Sequence, residues 1–184
     1  MSKRDKSLAY IIGVSLGDGN LSNPNKRAVR LRITCDKKYP KIIDRIKENL
    51  KIVLPYNKIG IVNKKSNCID ISCYSNQWPK LLGWRPDKGS KYKQNVRVPR
   101  WIFNKKIYIK NCLAGLIETD GSVYTDRGYK YINFTNKNID LSKDVLNLFE
   151  QLGFRANFYK TENKNVVRLS KDVGDFLKKI KLSK

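Results

Sequence analysis

Two acids each close a copy of one unusual signal. Residues 113–121 read L-A-G-L-I-E-T-D-G and residues 11–19 read I-I-G-V-S-L-G-D-G, so Asp120 and Asp18 each follow an apolar, small-residued run and precede a glycine. A carboxylate at the C-terminal end of a helix meets the negative end of the dipole, which is unfavourable. Packing the two helices side by side adds repulsion between Asp18 and Asp120. A divalent cation relieves both penalties, and Mg²⁺ is commonly held through one or two carboxylates. One Asp-Gly pair alone reads equally well as an ordinary turn. Two in matching contexts favour a paired site. The chain has no histidine, which removes His-based triads and the common zinc fingers. Its four cysteines, Cys35, Cys68, Cys73 and Cys112, form no CxxC pair. Catalysis is left to carboxylates, lysines and metal.

The elements that must position these acids follow from pattern. Leu113, Leu116 and Ile117 recur at helical spacing. Gly115 lowers helix stability by roughly 1 kcal/mol relative to alanine, so a helix that keeps it gains the close approach of a second helix. Gly13 and Gly17, four residues apart, share a face of the first helix in the same way. That helix is expected over 7–18, with Ser7 as N-cap, residues 1–7 only partly ordered, and Gly19 and Gly121 as C-caps. Residues 28–35 alternate as a half-buried strand with a basic face. A helix over 39–50, strands at 58–62 and 68–73, and a short helix at 76–82 complete the first half. Residues 85–100 are basic, lack helical period and are bracketed by prolines, as a linker is. The second half repeats the order: a helix at 110–120, a hairpin over 122–135 turning at Asp126-Arg127-Gly128, a helix at 140–152 capped by Gly153, strands at 154–159 and 166–170, and a last helix at 171–180. Offsetting the halves lays Ile33 on Phe134, Ile43, Ile46 and Leu50 on Val145, Leu148 and Leu152, and Ile69 and Ile71 on Val167 and Leu169. Core positions fall on core positions, as in a duplication.

On these residues the chain resembles the LAGLIDADG homing endonucleases, over nearly its whole length. Only Glu118 and Thr119 depart from the name motif at 113–121; at 11–19 the match is looser, with Leu16 where an acid commonly stands. The resemblance implies an α+β fold of two pseudo-symmetric αββαββα repeats, 1–84 and 101–184, joined by the basic linker 85–100. Saddle-shaped antiparallel sheets are packed by helices, and the motif helices form the interface. It implies a monomeric, site-specific double-strand DNA endonuclease, with Asp18 and Asp120 holding Mg²⁺ (Mn²⁺ substituting) and the main-chain carbonyls of Gly17 and Thr119 completing the ligand set. A linker lysine commonly projects to such a site. Lys91 is the best match and Lys88 the second; both also read as phosphate contacts or solvated side chains. A counterpart in the second half falls past the end, leaving Lys181 or Lys184 to substitute. Glu118, two residues from Asp120, is expected to point away from the metal, bonding locally or facing the other half.

Lys plus Arg total 39 against 16 Asp plus Glu, a formal charge of +23. Such an excess calls for a polyanionic partner, nucleic acid or an anionic membrane. No apolar run is long enough to span a bilayer and no signal-peptide core follows the first residues; scattered cysteines fit a reducing, intracellular setting, in the cytoplasm or the organelle of the host genome. The expected partner is a long, asymmetric DNA duplex. Its bases face Arg30, Arg32, Thr34, Lys58, Asp70 and Ser72 from the first sheet and Tyr129, Tyr131, Asn133, Arg155, Asn157, Tyr159 and Arg168 from the second, with arginine suited to guanine and asparagine to adenine. Lys26, Lys64, Lys65, Lys88 and Lys137 suit phosphate. A basic strand face also reads as merely solvated. The alternatives with the same fold are an intron RNA maturase and a non-cleaving, sequence-specific DNA-binding protein. A structural RNA-binding protein fits the charge but gives no account of the paired helix ends. An intein-borne nuclease is disfavoured, since no splicing segments flank the repeats.

Overall fold

Period-2 and period-3.6 stretches alternate along the chain, and the computed structural model, which describes residues 2–183, turns each into an element. The first half runs α1 (Lys3–Asp18), β1 (Gly19–Ser22), β2 (Arg30–Asp36), α2 (Pro40–Val53), β3 (Ile59–Asn63), β4 (Cys68–Tyr74) and α3 (Trp78–Leu82). After a 3-10 turn at Arg100–Asn104, the second runs α4 (Lys106–Thr119), β5 (Gly121–Asp126), β6 (Tyr129–Asn136), α5 (Ile139–Gln151), β7 (Asn157–Lys160), β8 (Asn165–Leu169) and α6 (Val173–Ile180). The two antiparallel sheets have the same strand order, β1-β2-β4-β3 and β5-β6-β8-β7. These are the two pseudo-symmetric αββαββα repeats. No helix of the described residues is long and apolar enough to cross a membrane.

Each sheet buries one face. Leu31, Ile33 and Cys35 of β2 alternate with half-buried Arg30, Arg32 and Thr34. Ile132 and Phe134, with Val167 and Leu169, do the same in the second sheet. Against those faces lie the apolar stripes of α2 (Ile42, Ile46, Leu50) and α5 (Leu141, Val145, Leu148). Phe149, Phe154 and Phe176 meet in one aromatic cluster that seats α6.

The motif helices are different: α1 is buried from Ser7 to Leu16 and α4 from Cys112 to Glu118, without a polar face. They cross at their glycines. A Cβ on Gly13 would lie 2.0 Å from the Cys112 carbonyl oxygen, and one on Gly115 would lie 2.5 Å from the Tyr10 carbonyl oxygen. Backbone therefore meets backbone, as the spacing of the small residues predicts.

Several expectations are corrected. The first helix begins four residues earlier than its pattern implies, because Ser2, not Ser7, caps it by accepting from the Arg4 amide; Ser7 is buried in its interior. Gly19 and Gly121 are not left-handed caps. Gly19 is extended (φ −77°) and Gly121 opens β5. They are needed for space, since a Cβ would lie 2.5 Å from Ser15 Cα and 2.6 Å from Ile117 Cα: each strand leaves folded back over the last turn of its helix. The overlay of the last strands shifts by two residues. Ile33 pairs with Ile71 and Phe134 pairs with Val167, so Ile71 corresponds to Val167 rather than Leu169. A two-residue slip preserves which face is buried, so hydrophobic pattern is blind to it. The turn at Arg127-Gly128 (φ 49° and 82°) and the left-handed Gly153 (φ 86°) agree with the sequence reading.

Candidate functional site

The crossing delivers the C-terminal ends of α1 and α4 to one place. A Cβ on Gly17 would lie 2.1 Å from Thr119 Oγ1 and 3.3 Å from Asp120 Oδ1, so the first helix end sits against the second acid. Asp18 is exposed and Asp120 half-buried. The Asn136 amide Nδ2 donates to Asp120 Oδ2 at 2.7 Å. Asn136 is in turn fixed, because its Oδ1 accepts from the Asn138 backbone amide at 2.9 Å. Cys35 occupies the corresponding position in β2, and burial together with the nearby Asp18 pushes its thiol up to about 12.

Lys91 reaches the site from the linker. Its Nζ donates to the main-chain carbonyls of Ser15 (2.9 Å) and Leu16 (2.7 Å), and also to that of Gly17. These carbonyls belong to the last turn of α1, where a cation is favoured; that of Ser15 also accepts from the Gly19 amide. Burial pulls the ammonium down to about 8, against the opposing pull of Asp120 and Asp18. Lys91, Tyr92, Asn136, Lys137 and Leu141 line a cleft of about 260 Å³ beside Gly17. Asn138 closes a hydrogen-bonded chain between acid and lysine: Asp120 to Asn136, Asn136 to Asn138, Asn138 Nδ2 to the Val96 carbonyl, and the Val96 amide to the Lys91 carbonyl. Arg97 and the Val98 amide bind the buried Asp144 of α5, anchoring that end of the linker. Lys88, the second choice, is exposed.

The donors gathered here are oxygens: two carboxylates and the carbonyl ends of two helices. Such a set suits a hard cation, and the Lys91 ammonium on three α1 carbonyls marks the attraction of that end for positive charge. Among the described residues no group of three or more His, Cys, Asp or Glu side chains could hold a metal. The Thr119 hydroxyl is turned back onto the Gly115 and Leu116 carbonyls.

Glu118 does turn away. Its side chain is fully buried and accepts from the Tyr10 hydroxyl (2.6 Å), Arg45 (2.8 Å) and the Ser183 amide (2.6 Å). Burial and then Glu118 push the Tyr10 phenol far up. Arg45 lies 4.3 Å over the Tyr10 ring and also donates to the Lys181 carbonyl. Lys181 therefore contributes main chain to this clasp; Lys184 lies outside the described residues.

The open sheet faces carry most of the expected contact residues. Cross-strand partners share a face, so Arg30, Arg32 and Thr34 join Ser72 and Asp70 in the first sheet. Tyr129, Tyr131, Asn133, Asn157, Tyr159 and Arg168 share the open face of the second. Lys58 and Arg155 are exposed but fall just before their strands. Asp70 is buried on its open face. Burial raises its carboxyl, yet the Thr34 hydroxyl, Lys64 and Arg32 hold it below its ordinary value. Lys64 is thereby tied to Asp70, whereas Lys26, Lys65 and Lys137 are exposed. The sequence reading missed Asn136, Tyr124 and Arg45. No periodic signal marks the asparagine, whose role comes from its contact with Asp120 across the fold.

Residues 108–181 match the model of a LAGLIDADG-like domain, and residues 7–69 match that of the WhiA LAGLIDADG-like domain. Among curated proteins, a DNA polymerase of Thermococcus hydrothermalis is 30% identical over 164 residues, which is 84% of this chain and 9% of the polymerase. The tRNA-splicing ligase RtcB of Pyrococcus furiosus is 28% identical over 201 residues, 95% of this chain and 21% of the ligase. The chain thus spans only a small part of these relatives. Of solved structures, mesophilic variants of the homing endonuclease I-DmoI superpose with a TM-score of 0.72 at 19% identity, covering 97% of this chain and 91% of that one. Full-length DUF199/WhiA from Thermatoga maritima gives 0.69 at 14% identity, covering 99% and 57%.

Proposed function

The chain belongs to the LAGLIDADG family, and we propose that it is a site-specific, double-strand DNA endonuclease. In this reading residues 1–84 and 101–184 are the two repeats, 85–100 the linker, and one chain supplies both halves of the site as a monomer. One observation carries it. The backbone contact at Gly13 and Gly115 brings two acid-bearing helix ends together, with a lysine beside them, between two open sheets. I-DmoI, of similar fold, has been solved in complex with DNA and Mn. Matches to about a tenth of a polymerase and a fifth of a ligase support a unit that moves between hosts, independent of either host's chemistry.

The sheets would lie along the major groove, which admits a two-stranded ribbon. Exposed lysines, Lys26, Lys65 and Lys137 among them, would meet phosphate. Asp18 and Asp120 would hold Mg²⁺, with Mn²⁺ able to replace it, and the main-chain carbonyls of Gly17 and Thr119 would complete the set. When bound, the metal supplies Lewis acidity that activates water and neutralises the leaving 3′ oxygen. Asn136 keeps one oxygen of Asp120 occupied and so orients the other. Lys91 holds the last carbonyls of α1 in place and adds positive charge beside the phosphate under attack.

Cleavage of a randomised duplex library in Mg²⁺ tests the proposal. Cuts at one long sequence, abolished by EDTA, by Asp18→Asn and by Asp120→Asn, support it. Cutting that survives either variant refutes the two-carboxylate site. The Lys91 ammonium on the Gly17 carbonyl favours a second reading, binding without cutting, if the lysine keeps that carbonyl from metal. Specific binding with no cleavage in Mg²⁺ or Mn²⁺ would select it, and intron RNA would be the next ligand to try.

A further inference from the structure

The open face of the second sheet carries a network with no counterpart at the same level of the first. Arg168 on β8 stands opposite Asn133 on β6. Its Nε donates to Asn133 Oδ1 at 2.9 Å, and Asn133 Nδ2 donates to the Tyr124 hydroxyl at 3.1 Å. The guanidinium lies 5.8 Å from the Tyr131 ring centre and 5.6 Å from that of Tyr159. Tyr131 is stacked on Tyr124 at 5.5 Å. In the first sheet the same level holds Arg32 opposite Ser72, with the arginine on the other strand. Arg32 Nε has no hydrogen-bond partner among the described residues, and its acid, Asp70, stands 4.0 Å away. The two arginines therefore differ in restraint.

That difference has a chemical consequence. A bidentate contact to adenine uses both the carbonyl and the amide of one asparagine. In Asn133 each is already engaged once, so an adenine contact is left only the second lone pair of Oδ1 and the second hydrogen of Nδ2, in the directions that the Arg168 and Tyr124 bonds leave open. Arg168 is in the opposite condition. Its bond uses Nε alone, two tyrosine rings lie beside it, and Nη1 and Nη2 make no hydrogen bond among the described residues. A planar fork whose rotamer is already fixed loses little further freedom on binding. Its donor pair matches guanine O6 and N7.

We propose that Arg168 reads guanine from the second sheet, and that Asn133 is its positioning residue rather than an adenine reader. This rests on the DNA-binding reading above and names one base contact within it. The guanine column should be sharper than any specified by Arg32.

The test is binding selection from a randomised duplex library in Ca²⁺, with bound DNA sequenced for wild type, Arg168→Lys and Asn133→Ala. Melting curves confirm that each variant is folded. Wild type is expected to enrich a motif with one column favouring guanine by roughly 5- to 150-fold. Arg168→Lys keeps the charge and should bind the library while flattening that column alone. Asn133→Ala should weaken the same column and erase no adenine column. A wild-type motif returned intact by Arg168→Lys overturns the assignment while leaving the DNA-binding reading standing, and loss of an adenine column in Asn133→Ala overturns the role given to Asn133. A wild-type chain that enriches no sequence overturns specific DNA recognition, and the guanine contact with it.

Discussion

Replacing Gly13 by alanine sets helix propensity against helix packing, and the geometry decides the outcome. In isolation the change favours the helix by about 1 kcal/mol. In this protein the new methyl would lie 2.0 Å from the Cys112 carbonyl oxygen, 2.9 Å from its carbon and 3.1 Å from the Leu116 nitrogen. The first of these is more than about 1 Å inside normal contact. All three atoms are backbone of α4, so no side chain can turn aside. The helices must part along an interface buried on both sides. Overpacking typically costs about 1–3 kcal/mol, and backbone displacement lies at the upper end. Less the propensity gain, the variant should lose about 2 kcal/mol, or roughly 4–8 °C in Tm. Urea unfolding followed by tryptophan fluorescence measures this, with the midpoint lowered and the slope unchanged. Gly174→Ala is the control, since among the described residues nothing beyond its chain neighbours and its own helix backbone lies within 4 Å of the added methyl; it should be neutral or slightly stabilising. If Gly13→Ala were as stable as wild type, glycine would not be required for the close approach of the two helices.

Arg45→Ala strands the Glu118 carboxylate in the core and should destabilise by about 3–5 kcal/mol; a loss under about 1 kcal/mol in urea unfolding would show the clasp to be incidental. Asn136→Ala removes the donor to Asp120 and should slow cutting of one strand about 10- to 100-fold. Strand-resolved gels on the selected target read this, and equal cutting of both strands at the wild-type rate would remove Asn136 from the site. Burial pushes the Cys73 thiol up to about 11, Cys35 to about 12 and Cys112 further. Iodoacetamide at neutral pH should therefore modify only Cys68 in the native protein and all four cysteines after denaturation, as counted by mass spectrometry.

Helices α2 and α5 and the central strands are legible because each half-buries a face, and a half-buried face writes its period into the sequence. Gly13 and Gly115 were legible because glycine inside a helix asks for a reason. Ends were harder. Ser2 and Ser7 are equally good caps on paper, and the choice fell to tertiary burial of Ser7. Gly19 and Gly121 were given the commoner reason for a glycine after a helix, although the operative one is the sharp return of each strand over its helix. The pair Asp18 and Asp120 could be proposed from the motif, but the third member of the local structure could not. Asn136 acts through a hydrogen bond across 16 positions, and an asparagine at a strand end carries no periodic signal. Tyr124 escaped for a related reason: its face is set by pairing with Tyr131 in a hairpin exposed on both sides at its tip. The sequence pattern places Lys58 and Arg155 inside strands that in the structure begin one and two residues later.

The helix crossing also imposes an order on biosynthesis. In the finished protein α1 is buried from Ser7 to Leu16. Its contacts with β2 and α2 can form once the first half has emerged from the ribosome, but the groove at Gly13 is filled only by α4. Roughly a hundred residues separate the two, which at about 5–20 residues per second is an interval of about 5–20 s. Throughout it a nascent chain carries an apolar groove cut for a glycine-bearing helix. On a crowded polysome the nearest such helix is the α1 of a neighbouring chain, which bears Gly13 and Gly17 on one face. Slower translation lengthens the interval, so synonymous codons between residues 19 and 105 should affect the yield of correctly folded chain without altering a single side chain.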